Sequence, residues 1–314
     1  MQPIDILGLG VVAVDDLLFV DGYPPPDAKT MVLRRERHCG GLTATALVAA
    51  TRLGARCAYA GVLDGDGLSE FAIQVMRREG IDLAHLRRIH TAPPTYSTIV
   101  IDATRQTRNI FVDLNDVVGA APDWPSAEVI QACRVLFVDF LGLAGMLRAA
   151  NLARAAGIPI VADIESTAPE VSRLMDTVDH LILSWDFARQ ITSASTPEEA
   201  ALALWRDQRQ VVVVTHGDRG CWYVAARDPS RAVHQPAFRV AVIDKTPPVA
   251  GMCFTARMQL RWCAAWRSVS ECVWLRRRRA SRPPGRAARP EPRRWQKSKN
   301  SSRRRAYDCE HPAT

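Results

Sequence analysis

The sequence predicts an α/β protein with a doubly wound, mostly parallel sheet and a small β-sheet lid. Short apolar runs alternate with segments that have helical periodicity, and glycines follow several of those segments. Strands separated by helices of about ten to fifteen residues form βαβ units, and a parallel sheet built from such units is covered on both faces. Two pieces near residues 17–36 and 97–113 have β character but fall outside this alternation, and they predict the lid.

In the first half of the chain, apolar runs bounded by glycine or proline predict strands. Small-residue or amphipathic segments that end at glycine predict helices. The predicted strands cover residues 5–12, 17–20 and 57–62, and the predicted helices cover 43–53 and 68–79. Residues 97–102 and 108–113 predict a hairpin with a polar connection, which we place in the lid.

The second half repeats this pattern, and a β-branched run at 210–215 is its strongest strand signal. Further strands are predicted at 135–139, 158–163 and 180–184, with helices at 142–156 and 197–208. After residue 243 the periodicity stops, and residues 276–314 are rich in Arg, Pro and Ser. We therefore expect one folded domain over residues 1–244 and a basic, disordered segment over 245–314.

The formal net charge of +8 conceals a difference between these two parts. Residues 245–314 contain 18 Lys and Arg against four Asp and Glu, whereas residues 1–244 contain 23 against 29. The arginine run at 276–279 has the charge to neutralise nucleic-acid phosphates. We interpret it instead as an incidental property of the disordered end, and we expect no nucleic-acid partner.

Three features indicate the compartment. No run of about 18 uncharged apolar residues is present, which predicts no membrane span. The first residues lack a basic region followed by an apolar stretch and a cleavage site, which predicts a cytoplasmic protein. Single cysteines in apolar surroundings predict buried, reduced thiols; these are Cys39, Cys57, Cys133 and Cys221.

Glycines mark three junctions where ligands could approach the backbone. Gly8-Leu9-Gly10 leads from the first strand toward Asp15, and Gly40-Gly41 opens a helix that ends before Gly54. Two glycines at a helix N-terminus leave free N–H groups accessible to hydroxyl ligands. The third junction is Thr215-His216-Gly217-Asp218-Arg219-Gly220, which follows a predicted parallel strand, where doubly wound sheets bind ligands. It is not a Walker loop, since no Gly-x-x-x-x-Gly-Lys-Ser/Thr occurs.

In this order, across about residues 1–244, the motifs resemble those of the ribokinase/PfkB carbohydrate kinases. The resemblance implies a ribokinase-like fold and ATP- and Mg²⁺-dependent phosphoryl transfer to a sugar hydroxyl. The sugar-binding residues that it implies are Asp15, Gly40, Gly41 and Thr45. The nucleotide-binding residues that it implies are Thr215, Gly217, Gly220 and Asp244. The implied partners are a sugar and ATP. Members of this family often dimerise through the lid sheet, so the resemblance leaves open whether this chain forms a homodimer.

Several positions leave alternatives open. Asp16 is adjacent to Asp15, and strand alternation lets only one of them face a ligand. Leu42 and Thr45 stand where the family often has asparagines, so the sugar class is open. The sequence Ser184-Trp185-Asp186 resembles the ketohexokinase branch and makes Asp186 a candidate helper for metal and phosphate. Further carboxylates end predicted strands on the ligand side, namely Asp139, Asp163 and Glu165.

The last family signature is lost. Where the family has Asp-Thr-x-Gly-Ala-Gly-Asp, this chain has Asp244-Lys245-Thr246 followed by Pro247-Pro248. No acid occurs between Asp244 and Glu271, and proline lacks the N–H that an anion hole needs. We therefore assign no catalytic residue, and we expect activity to be lowered, since losing a general base typically costs ~10²–10⁴-fold.

A change of reading frame would explain this loss. Permissible codons for residues 245–255 can be chosen so that a shifted frame encodes Asp-Thr-Thr-Gly-Cys-Gly-Asp-Val-Phe-His, and the fixed codon of Met252 limits that choice.

Two other functions remain open. One is a non-catalytic ligand-binding protein whose basic tail binds nucleic acid or an acidic partner, and the other is a nucleoside kinase on the same fold.

Overall fold

The computed structural model describes residues 4–105 and 107–237, and Asp244 and the segment 245–314 lie outside the described residues. The strands are β1 Ile4–Leu9, β2 Ala13–Val20, β3 Arg34–Gly40, β4 Cys57–Tyr59, β5 Val62–Leu63, β6 Arg87–Arg88, β7 Thr95–Asp102, β8 Thr107–Asp113, β9 Cys133–Val138, β10 Ile160–Asp163, β11 His180–Ser184, β12 Val211–Thr215, β13 Cys221–Ala225 and β14 Asp228–Gln235. The helices are α1 Leu42–Arg52, α2 Gly67–Arg78, α3 Ala127–Gln131, α4 Leu143–Ala155, α5 Val171–Met175, α6 Trp185–Thr192 and α7 Pro197–Ala203.

The predicted mostly parallel sheet is confirmed. Within the described part of the chain, eight strands form it in the order β14-β13-β12-β11-β10-β9-β1-β4. Neighbours from β12 to β4 pair in parallel, and β13 and β14 extend the edge as antiparallel strands. Because the parallel strands point the same way, their carboxyl ends meet at one edge of the sheet.

The lid is a separate four-stranded sheet with the order β3-β2-β7-β8. Strand β2 pairs antiparallel with β3 and parallel with β7, and β7 pairs antiparallel with β8. The predicted small second sheet is therefore confirmed. Its strands lie in or beside the segments 17–36 and 97–113, although the first begins at Ala13 and the second ends at Gly40.

Alternating side chains of the parallel strands divide the core into two layers. In β12, Val212 and Val214 pack on the side of α3 to α7, whereas Val211 and Val213 belong to the cluster that includes α1 and α2. Strands buried on both faces read as continuous apolar runs, which is why the run at 211–214 was a strong signal.

Helix boundaries differ from the predictions where tertiary contacts intervene. The helix predicted at 197–208 ends at Ala203. Arg209, which is 2% exposed, donates from its guanidinium to the carbonyl of Leu204, and also to that of Met175 at 2.9 Å. The guanidinium thereby satisfies a carbonyl left free at the end of α7.

Two further sequence predictions concern thiols and membranes. Cys57, Cys133 and Cys221 are buried free thiols as predicted, whereas Cys39 is only half-buried. Over the residues described, no helix has the length and apolar character that crossing a membrane requires.

Candidate active site

The carboxyl edge of the parallel sheet gathers polar groups from distant parts of the chain. Strand β1 leads into Gly10, β9 into Asp139, and β10 ends at Asp163. Strand β11 ends at Ser184 and β12 at Thr215. These five strands are consecutive neighbours in the sheet, so the groups at their ends form one row.

Asp139 holds the β1 end of this row together. Its Oδ2 accepts from the backbone N–H of Val11 at 2.6 Å and from Oγ1 of Thr43 at 2.7 Å. Its Oδ1 accepts from the N–H of Leu141 at 3.0 Å. Burial raises the pKa of Asp139 to about 6 despite these hydrogen bonds. A side chain at Gly10, whose φ is +134°, would overlap the Asp139 carboxylate, so only glycine fits there.

Asp15 of β2 lies beside Gly40, the residue that ends β3. It is 7% exposed, and a Cβ at Gly40 would collide with its carboxylate. Burial raises the pKa of Asp15, while a hydrogen bond from Ser97 and the nearby His38 oppose that rise. Ser97 and His38 are the residues paired with Asp15 in register on β7 and β3.

Asp16 has a different role. Arg37 donates to both of its carboxylate oxygens at 2.6 Å, and the Tyr96 hydroxyl donates at 2.8 Å. The Arg37 hydrogen bonds lower the pKa of Asp16, and the Tyr96 hydroxyl adds to that effect. An ion pair with Arg37 on the opposite face of the strand removes Asp16 from competition with Asp15.

The glycine pair lies where the lid joins the first helix. Gly40 ends β3, and Gly41 precedes α1 with φ +92°. A Cβ at Gly41 would overlap the carbonyl of Val11, so this position is restricted to glycine by both conformation and space. Thr45 lies half-buried in the first turn of α1, where its N–H donates to the Gly41 carbonyl at 2.9 Å.

The loop after β12 forms the opposite end of the row. Residues Gly217–Arg219 make one 3₁₀ turn, and the N–H of His216 donates to the Gly220 carbonyl at 2.8 Å. Gly217 and Gly220 have φ of +52° and +94°, and a side chain at Gly220 would overlap backbone atoms around Gln235. The Thr215 hydroxyl donates to the Leu183 carbonyl at 3.3 Å, which ties the loop to β11.

Aromatic rings surround this loop. The His216 ring lies 6.0 Å from that of Trp185 and 6.1 Å from that of Trp222, measured between centroids. Trp222 stacks on His234 at 4.2 Å, and Nε2 of His234 lies 2.8 Å from the Arg219 carbonyl. The loop is therefore held by rings as well as by backbone hydrogen bonds.

The remaining strand-end carboxylates differ in environment. Asp163 is 2% exposed, and its Oδ1 has no hydrogen-bond partner among the described residues. Burial raises the pKa of Asp163 well above its ordinary value, and the negative charges of Glu165 and Asp139 add to that rise. Asp186 is exposed in the first turn of α6, which Ser184 caps by accepting from the Phe187 N–H at 3.3 Å. Within the described ranges, no three His, Cys, Asp or Glu side chains are grouped to hold a metal ion.

The structure brings together most of the predicted site residues, in two groups. Asp15, Gly40, Gly41 and Thr45 lie at the β1 end of the edge, and Thr215, Gly217 and Gly220 lie at the β12 end. Asp244 lies outside the described residues. Sequence reasoning missed Thr43, Ser97 and His38, because each acquires its position through strand register or through a contact with a distant residue.

The chain is similar in sequence to known kinases. The chain is 25% identical to 5-dehydro-2-deoxygluconokinase of Shouchella clausii over 256 residues, covering 74% of this chain and 76% of that protein. It is 25% identical to fructokinase-1 of Zea mays over 260 residues, covering 77% and 78%.

Among solved structures, the ribokinase of Arabidopsis thaliana complexed with ribose and ATP superposes with a TM-score of 0.66 at 15% identity. The superposition covers 83% of this chain and 86% of that one, and it establishes a shared ribokinase-like fold. The family profile described as pfkB family carbohydrate kinase matches residues 9–246. Because this match spans more than half of the 314 residues, the chain belongs to the pfkB family of carbohydrate kinases.

Proposed function

We propose that this chain has the scaffold of an ATP-dependent sugar kinase, in which a sugar binds beneath the lid and ATP binds along the loop after β12. The observation that carries the proposal is the shared edge: Asp15 with Gly40 at one end, and the glycine loop at the other. Four strand spacings separate β1 from β12, roughly 19 Å at about 4.8 Å each. A nucleotide bound at the loop can therefore direct its triphosphate along the sheet edge toward the sugar.

At the sugar end, Asp15 accepts hydrogen bonds from substrate hydroxyls, and Ser97 orients its carboxylate. Burial makes these hydrogen bonds stronger than they would be in water. Gly40 and Gly41 keep the backbone bare, so that a sugar can approach the start of α1. Thr45 lies in the first turn of that helix.

At the nucleotide end, Gly217 and Gly220 let the loop backbone approach phosphates, and Thr215 fixes the loop to its neighbouring strand. Asp244 would belong to the same group. Asp163 is the carboxylate that best fits Mg²⁺, because its buried Oδ1 has no hydrogen bond from the described residues and a cation would offset the neighbouring negative charges. Mg²⁺ is usually held by one or two carboxylates together with substrate phosphates, and it would supply charge stabilisation to the transferred group.

We also propose that phosphoryl transfer is impaired. The family's Gly-x-Gly-Asp supplies both the base and the amides that stabilise the transferred phosphoryl group, and neither is present after Asp244. Binding should therefore survive better than turnover, because the groups assigned to sugar binding and most of those assigned to ATP lie on described elements.

Ligand-dependent thermal shifts of the full-length chain test the proposal with D-fructose, D-ribose and adenosine, each with and without ATP and Mg²⁺. We expect a sugar to raise the unfolding temperature, and Asp15→Asn to abolish that rise. A rise with adenosine alone would instead identify a nucleoside kinase. If the basic tail binds an acidic partner, the chain should bind heparin with a strong salt dependence. Truncation at residue 245 should abolish that binding.

We further propose that the protein acts in the cytoplasm and that a homodimer forms through the lid. Strand β8 is exposed along its whole length, and Ile110, Phe111 and Val112 project from it with 41%, 54% and 54% exposure. Exposed apolar residues on a sheet edge favour pairing with another chain. Light scattering of the full chain and of Phe111→Asp checks this, and an unchanged monomeric mass for both would contradict it.

A further inference from the structure

One face of the lid carries a row of polar side chains beside Asp15. In register, His38 of β3 is directly opposite Asp15 of β2, and Glu36 is opposite Leu17. Residues opposite one another share a face, so His38 and Glu36 lie on the same face as Asp15. Arg37, between them in sequence, lies on the other face, where it pairs with Asp16.

One ring nitrogen of His38 already has a hydrogen-bond partner within the protein. Its Nε2 lies 2.9 Å from Oε2 of Glu36, and Glu36 pairs in turn with Arg34 at 3.1 Å. A carboxylate only accepts hydrogen bonds, so Nε2 carries the proton and donates. The Arg34–Glu36 pair therefore fixes both the orientation and the tautomer of the imidazole.

The other ring nitrogen is available. No described residue bonds to Nδ1 of His38, and in the neutral ring this nitrogen is an acceptor. The His38 side chain is 29% exposed, which leaves it accessible to a ligand. Opposed residues of antiparallel strands have Cβ atoms about 4.5–5.5 Å apart, so Nδ1 and the Asp15 carboxylate can reach neighbouring groups of one ligand.

We propose that His38 is a sugar-binding, specificity-determining residue, whose Nδ1 accepts a hydrogen bond from a hydroxyl adjacent to the one bound by Asp15. Glu36 is its positioning residue. This inference rests on the proposed function and specifies the ligand class further, as a sugar that presents two neighbouring hydroxyls to the lid. It also supplies a polar contact in a chain that has Leu42 and Thr45 at the start of α1, where the family often has asparagines.

Calorimetric titration of the full-length chain with D-fructose and D-ribose tests the inference. We expect His38→Ala to weaken sugar binding about tenfold, the effect of one lost hydrogen bond. His38→Gln keeps an acceptor on a side chain of similar length, and it should recover part of the affinity. Glu36→Gln should weaken binding less than His38→Ala, because it disturbs only the orientation of the ring.

Arg35→Ala is the matched control, since Arg35 lies on the same strand but on the opposite face from His38. It should leave sugar affinity unchanged, and unfolding midpoints should show that all four variants are folded. If the wild type binds a sugar and His38→Ala binds it equally well, the inference is overturned while the proposed function stands. If the wild type binds neither sugar, the proposed function and the inference fall together.

Discussion

Replacing Asp139 by asparagine tests how a buried carboxylate controls stability at the β1 end of the sheet edge. The pKa of Asp139 rises from 3.8 to about 6 because burial penalises its charged form. A raised folded-state pKa means that the stabilising contribution is fully present below about pH 4 and is lost as the pH rises through 6. A shift of this size corresponds to about 3 kcal/mol, since each pKa unit is worth about 1.4 kcal/mol.

Asparagine does not titrate, so its effect separates into two parts. Its single oxygen cannot serve all three donors that Asp139 satisfies, and this costs roughly 1–3 kcal/mol at every pH. The pH-dependent part appears only in the wild type. We therefore expect the free energy of unfolding of the wild type, relative to Asp139→Asn, to fall by about 3 kcal/mol from pH 4 to pH 7.5.

Urea unfolding followed by circular dichroism, in steps of half a pH unit, measures this difference. The exposed Asp207→Asn is the control and should follow the wild type at every pH. A difference that stays flat would show that burial does not raise the pKa of Asp139. A difference that grows with pH would show that the three hydrogen bonds outweigh burial, and either result would refute the reasoning.

Three other perturbations follow from the structure. Asp5→Ala should destabilise the fold by roughly 2–4 kcal/mol in urea unfolding, because it leaves Arg56 and Arg134 without the buried carboxylate that joins β1, β4 and β9; an effect below about 0.5 kcal/mol would contradict this. Gly41→Ala should cost at least about 1 kcal/mol and also weaken sugar binding, because its Cβ would overlap the Val11 carbonyl; an unchanged midpoint would show that the helix start can shift. An extra base inserted ahead of codon 245 should raise turnover by about 10²–10⁴-fold in a coupled ATPase assay, and a gene without the Asp-Thr-Thr-Gly reading in that frame would exclude the frame change.

The parallel sheet could be predicted because its strands are buried on both faces and its helices end at glycines. The run at 211–214 needs no tertiary information to be recognised as a strand. Short helices such as Val171–Met175 were missed, since five residues hold too little periodicity. The early end of α7 at Ala203 was also missed; there the Leu204 carbonyl accepts from Arg209, which lies outside that helix.

Residues of the candidate site could be predicted where they belong to a motif that is local in sequence. They could not be predicted where strand register determines which residues are neighbours. Gly41 and Gly220 could be identified because each occupies a conformation that favours glycine. The hydrogen bond between Thr43 and Asp139 joins residues 96 positions apart, and the sequence around neither residue predicts it. The pairing of His38 with Asp15 likewise depends on the strand register across the intervening loop.

The position of the lost motif suggests that binding and catalysis are separable in this chain. The family match ends at residue 246, just past Asp244, whereas the Asp15 group and the glycine loop lie wholly within the match. Interactions that hold the substrate equally in the ground and transition states affect affinity, and those made only in the transition state affect turnover. Under the proposed function, the described residues make interactions of the first kind, and the lost signature would have supplied the second. A chain of this construction should bind sugar with the affinity of an intact kinase while transferring phosphate slowly, and a parallel loss of both would mean that the segment after residue 246 also shapes the sugar site.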